Sequence, residues 1–103
     1  DEIVIVDGLI RTLDLVVTLR VDEEQAGNEV QIINKVRDKI LNFMGVDNRE
    51  FGEPLILGEL NRLMFEVVEV RISDIDNLQQ DVLVDFNEFI VLNNLTINVS
   101  YLK

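Results

Sequence analysis

Between Thr12 and Val21 the chain alternates without a break. Leu13, Leu15, Val17, Leu19 and Val21 fall on one side, and Thr12, Asp14, Val16, Thr18 and Arg20 on the other. A period of two sends successive side chains to opposite faces of a strand. The run therefore predicts a strand with one face in a core and one in water, which excludes an all-helical fold. The same pattern returns near the end, with Leu95, Ile97, Val99 and Tyr101 set against Thr96, Asn98 and Ser100. A third stretch sets Val68, Val70 and Ile72 against Glu69, Arg71 and Ser73. Asp22-Glu23-Glu24 closes the first strand, and Asn93-Asn94 is read as a turn into the last. Val82 to Val84 is a further short strand candidate.

Between the first and second strands the period changes. Asn28 followed three residues later by Gln31 predicts a helix start with a capping box, and Glu29 suits its first turn. Val30, Ile33, Val36, Ile40, Phe43 and Met44 recur at helical spacing, with Asn34, Lys35, Asp38, Lys39 and Asn42 opposite. Gly45 is placed to end this helix as a left-handed cap. After a loop over 46–54, a shorter helix follows Gly58 with Leu60, Leu63, Met64 and Val67 as its stripe. Residues 74–81 are a polar loop.

The order strand, helix, helix, strand, strand, with strands apolar on one face only, predicts an α+β fold. Its expected form is a two-layer sandwich, an antiparallel sheet of about three strands with both helices on one face. The first and last strands are expected to pair, and Leu13, Leu15, Val17, Leu19, Ile33, Val36, Ile40, Leu60, Ile97 and Val99 to be mostly buried. At 103 residues this is one domain over 10–103. Residues 1–9 read as an N-terminal extension or edge strand ended by Asp7-Gly8. The chain opens at Asp1 without a Met and is read as part of a longer protein.

Residue chemistry narrows the function classes. There is no Cys and no His, which removes disulfides, thiolate nucleophiles, the commonest general base and the commonest zinc ligand. Acids outnumber bases 20 to 9, for a net charge of −11. Such a surface repels phosphates and anionic lipids, so neither nucleic acid nor a membrane surface is an expected partner. The longest apolar runs, Ile3 to Val6 and Phe89 to Leu92, are too short to build a membrane-spanning helix. No signal peptide is visible, and two glycosylation-type triplets at Asn94 and Asn98 sit inside a predicted strand.

The densest carboxylate group is Asp74, Asp76, Asp81 and Asp85. Asp74, Asp76 and Asp85 match the first, third and twelfth positions of a calcium loop, but Gln79 stands where that loop needs Gly. It reads as a solvated acidic loop. Ser73 and Ser100 have no His to activate them, and the five glycines form no phosphate cradle. No catalytic centre, metal or cofactor is expected. The residues that suggest protein contact are Arg37, at the edge of the first helix's apolar arc, and Phe65, pointing away from the second helix's stripe. The Phe51–Pro54 loop and the polar sheet face at Thr18, Arg20 and Arg71 complete the candidates.

The order of motifs also resembles a known family. An alternating strand is followed by a helix with Val30, Val36 and Ile40-Leu41, then Phe51-Gly52-Glu53-Pro54-Leu55, a short helix Leu60 to Met64, and Val67-Val68-Glu69-Val70-Arg71-Ile72. Asn87-Glu88-Phe89-Ile90-Val91-Leu92 then leads into Leu95-Thr96-Ile97. This is similar to the C-terminal region of baseplate J-like proteins, the baseplate wedge components of contractile-tailed phages. The likeness runs over roughly residues 10–102. Gly58 stands where the family usually has a Ser cap, and Glu69 where Gly usually precedes Val70. The resemblance implies a structural assembly role in the virion's tail baseplate, for a protein made in the host cytoplasm. The implied partners are other baseplate subunits and copies of the same chain. The competing expectation is a regulatory or small-molecule-binding α+β module of a larger protein.

Overall fold

A computed structural model describes residues 9–102 of the chain. It contains β1 (Leu9–Asp22), α1 (Glu29–Phe43), α2 (Leu57–Phe65), β2 (Ile72–Ile75) and β3 (Glu88–Leu102), in the element order expected. Of the N-terminal segment 1–9, only Leu9 lies within the described residues, where it opens β1. The fold is α+β, with a three-stranded sheet ordered β2-β1-β3. The first and last strands do pair, over the whole length of β1.

The sheet is mixed, not antiparallel. β2 runs antiparallel to β1, but β3 runs parallel to it. Alternation reports which face is buried and is blind to strand direction, which the connections decide. β2 leaves the sheet opposite Val17, heading towards the start of β1. The chain from 76 to 87 continues along that side, passes the end of β1 where Leu9 N–H donates to Asn87 O at 2.9 Å, and enters β3 on the other side. Entering at Glu88 opposite Leu9, it can only run the same way as β1.

Leu15, Val17, Leu19 and Val21 of β1 form one buried cluster with Ile32, Val36 and Ile40 of α1 and Leu60 and Met64 of α2. Their alternates Thr12, Asp14 and Arg20 are exposed, and Val16 and Thr18 half-buried, so both helices cover one face and leave the other open. Of the expected core, Leu13, Ile97 and Val99 are partly buried against this cluster. The stripe of α1 is centred on Ile32, Val36, Ile40 and Met44, whereas Val30 is 67% exposed and Ile33 only half-buried. Helical spacing gives the period of a stripe but not its phase.

Five local expectations are corrected. Asn28 precedes α1 but makes no capping bond; its amide donates to Gln25 Oε1 because the chain enters from a 3-10 segment, Glu23–Asn28. Gly45 has φ −61° and is no left-handed cap; the Asn42 carbonyl is taken by the Asn48 amide at 2.7 Å. The strand read from Val68 to Ile72 begins only at Ile72. Before it the chain turns, with Val70 N–H donating to Val67 O, so that Val70 is buried and Val68 is 85% exposed. In β2 the buried residue is Ser73, whose hydroxyl donates to Asn61 Oδ1 at 3.0 Å. The Asn93-Asn94 turn is a β-bulge inside one continuous strand: Leu13 pairs with Leu92 and Asp14 with Asn94, leaving Asn93 as the extra residue. Val82 makes a single bridge to Leu55 and not a strand.

Candidate protein-contact surfaces

Parity along β1 places Thr18 and Arg20 on the open sheet face, and the turn into β2 brings Arg71 beside them, its N–H donating to Arg20 O at 2.9 Å. These three sequence candidates do form one patch, but none offers a free charge or hydroxyl. Thr18 Oγ1 donates to Asp76 Oδ2. Arg20 lies 3.8 Å from Asp74, and Arg71 lies 3.1 Å from Asp22. The patch is a charge-compensated lattice, and exposed pairs of this kind contribute little stability.

The same contacts explain the acidic loop. Asp74 and Asp76 face the sheet, whereas Asp81 Oδ1 accepts the Leu57 N–H at the start of α2 at 2.8 Å. At Asp85 it is the backbone N–H that bonds, to Glu88 Oε1. Among the described residues no three carboxylates converge as metal ligands would. Asn77 does a job that sequence reasoning missed. Its side-chain amide donates to Asp14 O and its carbonyl accepts from Val16 N–H, continuing the β2 side of the ladder after the backbone has left it. An Asx residue just past a strand is the available signal.

The second surface is the far end of the sheet, beyond the helices. Phe51 is 58% exposed and meets Phe89 edge-on, ring centroids 5.2 Å apart. Leu9, Ile10, Leu83 and Phe86 are also exposed here, Phe86 by 78%. They are held together by one side-chain and one backbone hydrogen bond, both to backbone carbonyls. Arg11 donates to Leu83 O, and Gly52 N–H donates to Glu88 O at 2.8 Å. Gly52 has φ +76°, and a Cβ there would sit 3.1 Å from Phe86 Cα. Only glycine suits both the conformation and the close approach.

Arg49, which sequence reasoning also missed, anchors this loop. Its side chain is 1% exposed. Its guanidinium donates to the carbonyls of Pro54 (3.0 Å) and Glu53 (3.3 Å) and lies 5.6 Å from the Phe43 ring centre. Nothing in the sequence separates this arginine from the exposed ones.

The third surface is the helical side. Arg37 is exposed on α1, with no carboxylate within ion-pair distance among the described residues. Phe65 is 48% exposed at the end of α2. Between the helix ends, Lys35 pairs with Glu69 at 2.8 Å and Lys39 with Glu66 at 3.0 Å. The Lys35 ammonium, with the backbone N–H of Glu69 itself, holds the Glu69 carboxyl below the usual carboxylate range. Because the folded-state pKa is depressed, this stabilisation is present above the ordinary Glu range and is lost as pH falls through the folded value. The melting-temperature difference between the wild type and Glu69→Gln should therefore shrink steadily as melts are taken from pH 7 down to pH 3. A difference that does not change with pH would show that the pair contributes nothing through its charge.

Near the end of β3, Tyr101 O–H donates to Glu29 Oε1 at 2.9 Å, tying the helical face of the strand to the start of α1. Desolvation, and then the Glu29 carboxylate, raise the phenol pKa. No family model matches the chain, and no curated protein matches it either.

Proposed function

We propose that this chain is a structural assembly domain of a contractile-tail baseplate, acting by contact with neighbouring subunits in the virion. The family-like order of motifs over residues 10–102 suggests the setting. The observation that carries the contact reading is the apolar end of the sheet, where Leu9, Ile10, Phe51, Leu83 and Phe86 are held in place and exposed together. Exposed apolar side chains gathered at one end of the sheet, on a chain of net charge −11, fit a docking site, and aromatic anchors are the usual centres of such sites. Arg37 and Phe65 supply further contacts on the helical side.

A small-molecule module would need an enclosed hollow with converging polar groups. The depression bounded by Asp22, Glu23, Glu24 and Leu102 is open and acidic, and the one beside Lys35, Asp38, Lys39 and Glu66 is bounded by groups already paired in part. Neither favours that reading.

The test is assembly with the other tail subunits, followed by co-sedimentation. Phe86→Ala, Phe65→Ala and Arg37→Glu should leave the domain folded, and at least one should weaken assembly by about tenfold or more. Normal assembly by all three variants would overturn the placement of the contacts. Binding to a metabolite, with no binding to any tail subunit, would overturn the function.

A further inference from the structure

We infer that the chain pairs with a second copy of itself through the outer edge of β3, joining two sheets across a twofold axis. The inference deepens the assembly reading and takes from it only that the domain works through protein contact. It rests on three observations.

First, the edge is open. β3 is an outer strand, and beyond Glu88, which accepts from Gly52 N–H, no backbone group of the described residues bonds its outer side. From Phe89 to Leu102 this presents an edge of roughly 45 Å at about 3.3 Å per residue. Second, the edge has none of the devices that keep strand edges apart. Residues 89–102 contain no Asp, Glu, Lys, Arg or Pro, the longest charge-free stretch of the sequence. Third, the core is unfinished at the same place. Leu95, Ile97 and Val99 face the helices yet are only half-buried, whereas Leu15, Val17 and Leu19 beside them on β1 are fully buried. Backbone and apolar row both end at one line.

Charge opposes a second copy elsewhere on the surface and permits one at this edge. Two copies of a chain with net charge −11 repel at most approaches. Along β3 they meet through uncharged strand and a ladder of Asn94, Thr96, Asn98 and Ser100 on the open face. A twofold axis perpendicular to the sheet makes the two β3 strands antiparallel and self-complementary. It also keeps both helical layers on one side, so the half-covered rows adjoin. The product is a closed dimer with one six-stranded sheet ordered β2-β1-β3-β3-β1-β2.

The experiment is sedimentation of the 103-residue chain at increasing concentration. The wild type should reach about twice 11.8 kDa and stop there. Thr96→Lys with Asn98→Lys should weaken the dimer by about tenfold or more, since like charges then face each other across the seam. These side chains lie on the uncovered face, so thermal melts should show the variant folded. Gln31→Lys with Asn34→Lys, on exposed positions of α1, makes the same change in net charge and should dimerise like the wild type. A monomeric wild type at high micromolar concentration, open-ended polymers, or a Thr96/Asn98 variant that dimerises normally would each overturn the proposal. A monomer that still assembles with tail subunits would sink the dimer alone. A dimer that binds no tail subunit would sink the baseplate reading alone.

Discussion

Val17→Asn should cost about 2.5–6 kcal/mol, while Val16→Asn, one residue earlier, should be nearly neutral. Val17 is fully buried in the central strand, paired to Ile75 on one side and Ile97 on the other. Replacing it forfeits about 1.5–3 kcal/mol of burial and strands an amide where no partner reaches, for about 1–3 kcal/mol more. A domain of this length has only about 5–15 kcal/mol in total. Val16 faces the open side, half-buried beside the Asn77 contact, and a polar replacement there should stay within about 1 kcal/mol. Urea unfolding of both variants checks the contrast. Similar losses at the two sites would mean that the face assignment of β1 is wrong.

Arg49→Ala should cost about 2–4 kcal/mol, an unusual loss for a charged residue outside any helix or strand. It removes two charge-assisted donors from the carbonyls of Glu53 and Pro54 and opens space against Phe43. Arg49→Lys should recover little, because an ammonium lacks the planar fork that serves both carbonyls beside the Phe43 ring. Hydrogen exchange gives the local readout. The Leu55 amide, which bonds Val82 O at 2.9 Å, should lose protection in Arg49→Ala before the amides of β1 do. Equal loss everywhere would make Arg49 a part of the general core and not the anchor of the Phe51 loop.

The parts of the fold legible in the sequence are those that depend on one residue's relation to its near neighbours. The inward set of β1, the existence of both helices and the apolar face of Leu95 to Tyr101 all follow from periodicity. Strand direction was not legible, because it depends on the path of 76–87 around the end of β1. The Val68–Ile72 alternation misled for a related reason: the chain needs several residues to leave α2, and Val68 and Val70, in step with Ile72, occur within that turn. At Asn93-Asn94 the sequence does break its alternation, but a turn and a bulge break it alike. With Asn93 set aside, Leu92, Asn94 and Leu95 alternate in step with Leu13, Asp14 and Leu15, as an inserted residue requires.

The candidate surface shows the same division. That Thr18 and Arg20 share the polar face could be read from parity. That their partners are Asp76 and Asp74 could not, since Thr18 and Asp76 are 58 positions apart. Phe51 was legible as an exposed aromatic beside a glycine. Phe86, more exposed still, drew no notice because it sits in an acidic stretch with no periodicity to break.

The parallel pairing of β1 with β3 has a consequence for how the domain is made. The bulge residue Asn93 bonds Asp14 from 79 positions away, and the whole β1–β3 ladder closes loops of that length. Such contacts must wait for nearly all of the domain to leave the ribosome, and high contact order slows the search once it has. Until β3 arrives, β1 has only the four residues of β2 to pair with, and its apolar face stands half-built. Folding of the domain is therefore a late, single event that waits for β3, and the nascent chain before that point is the form most exposed to aggregation.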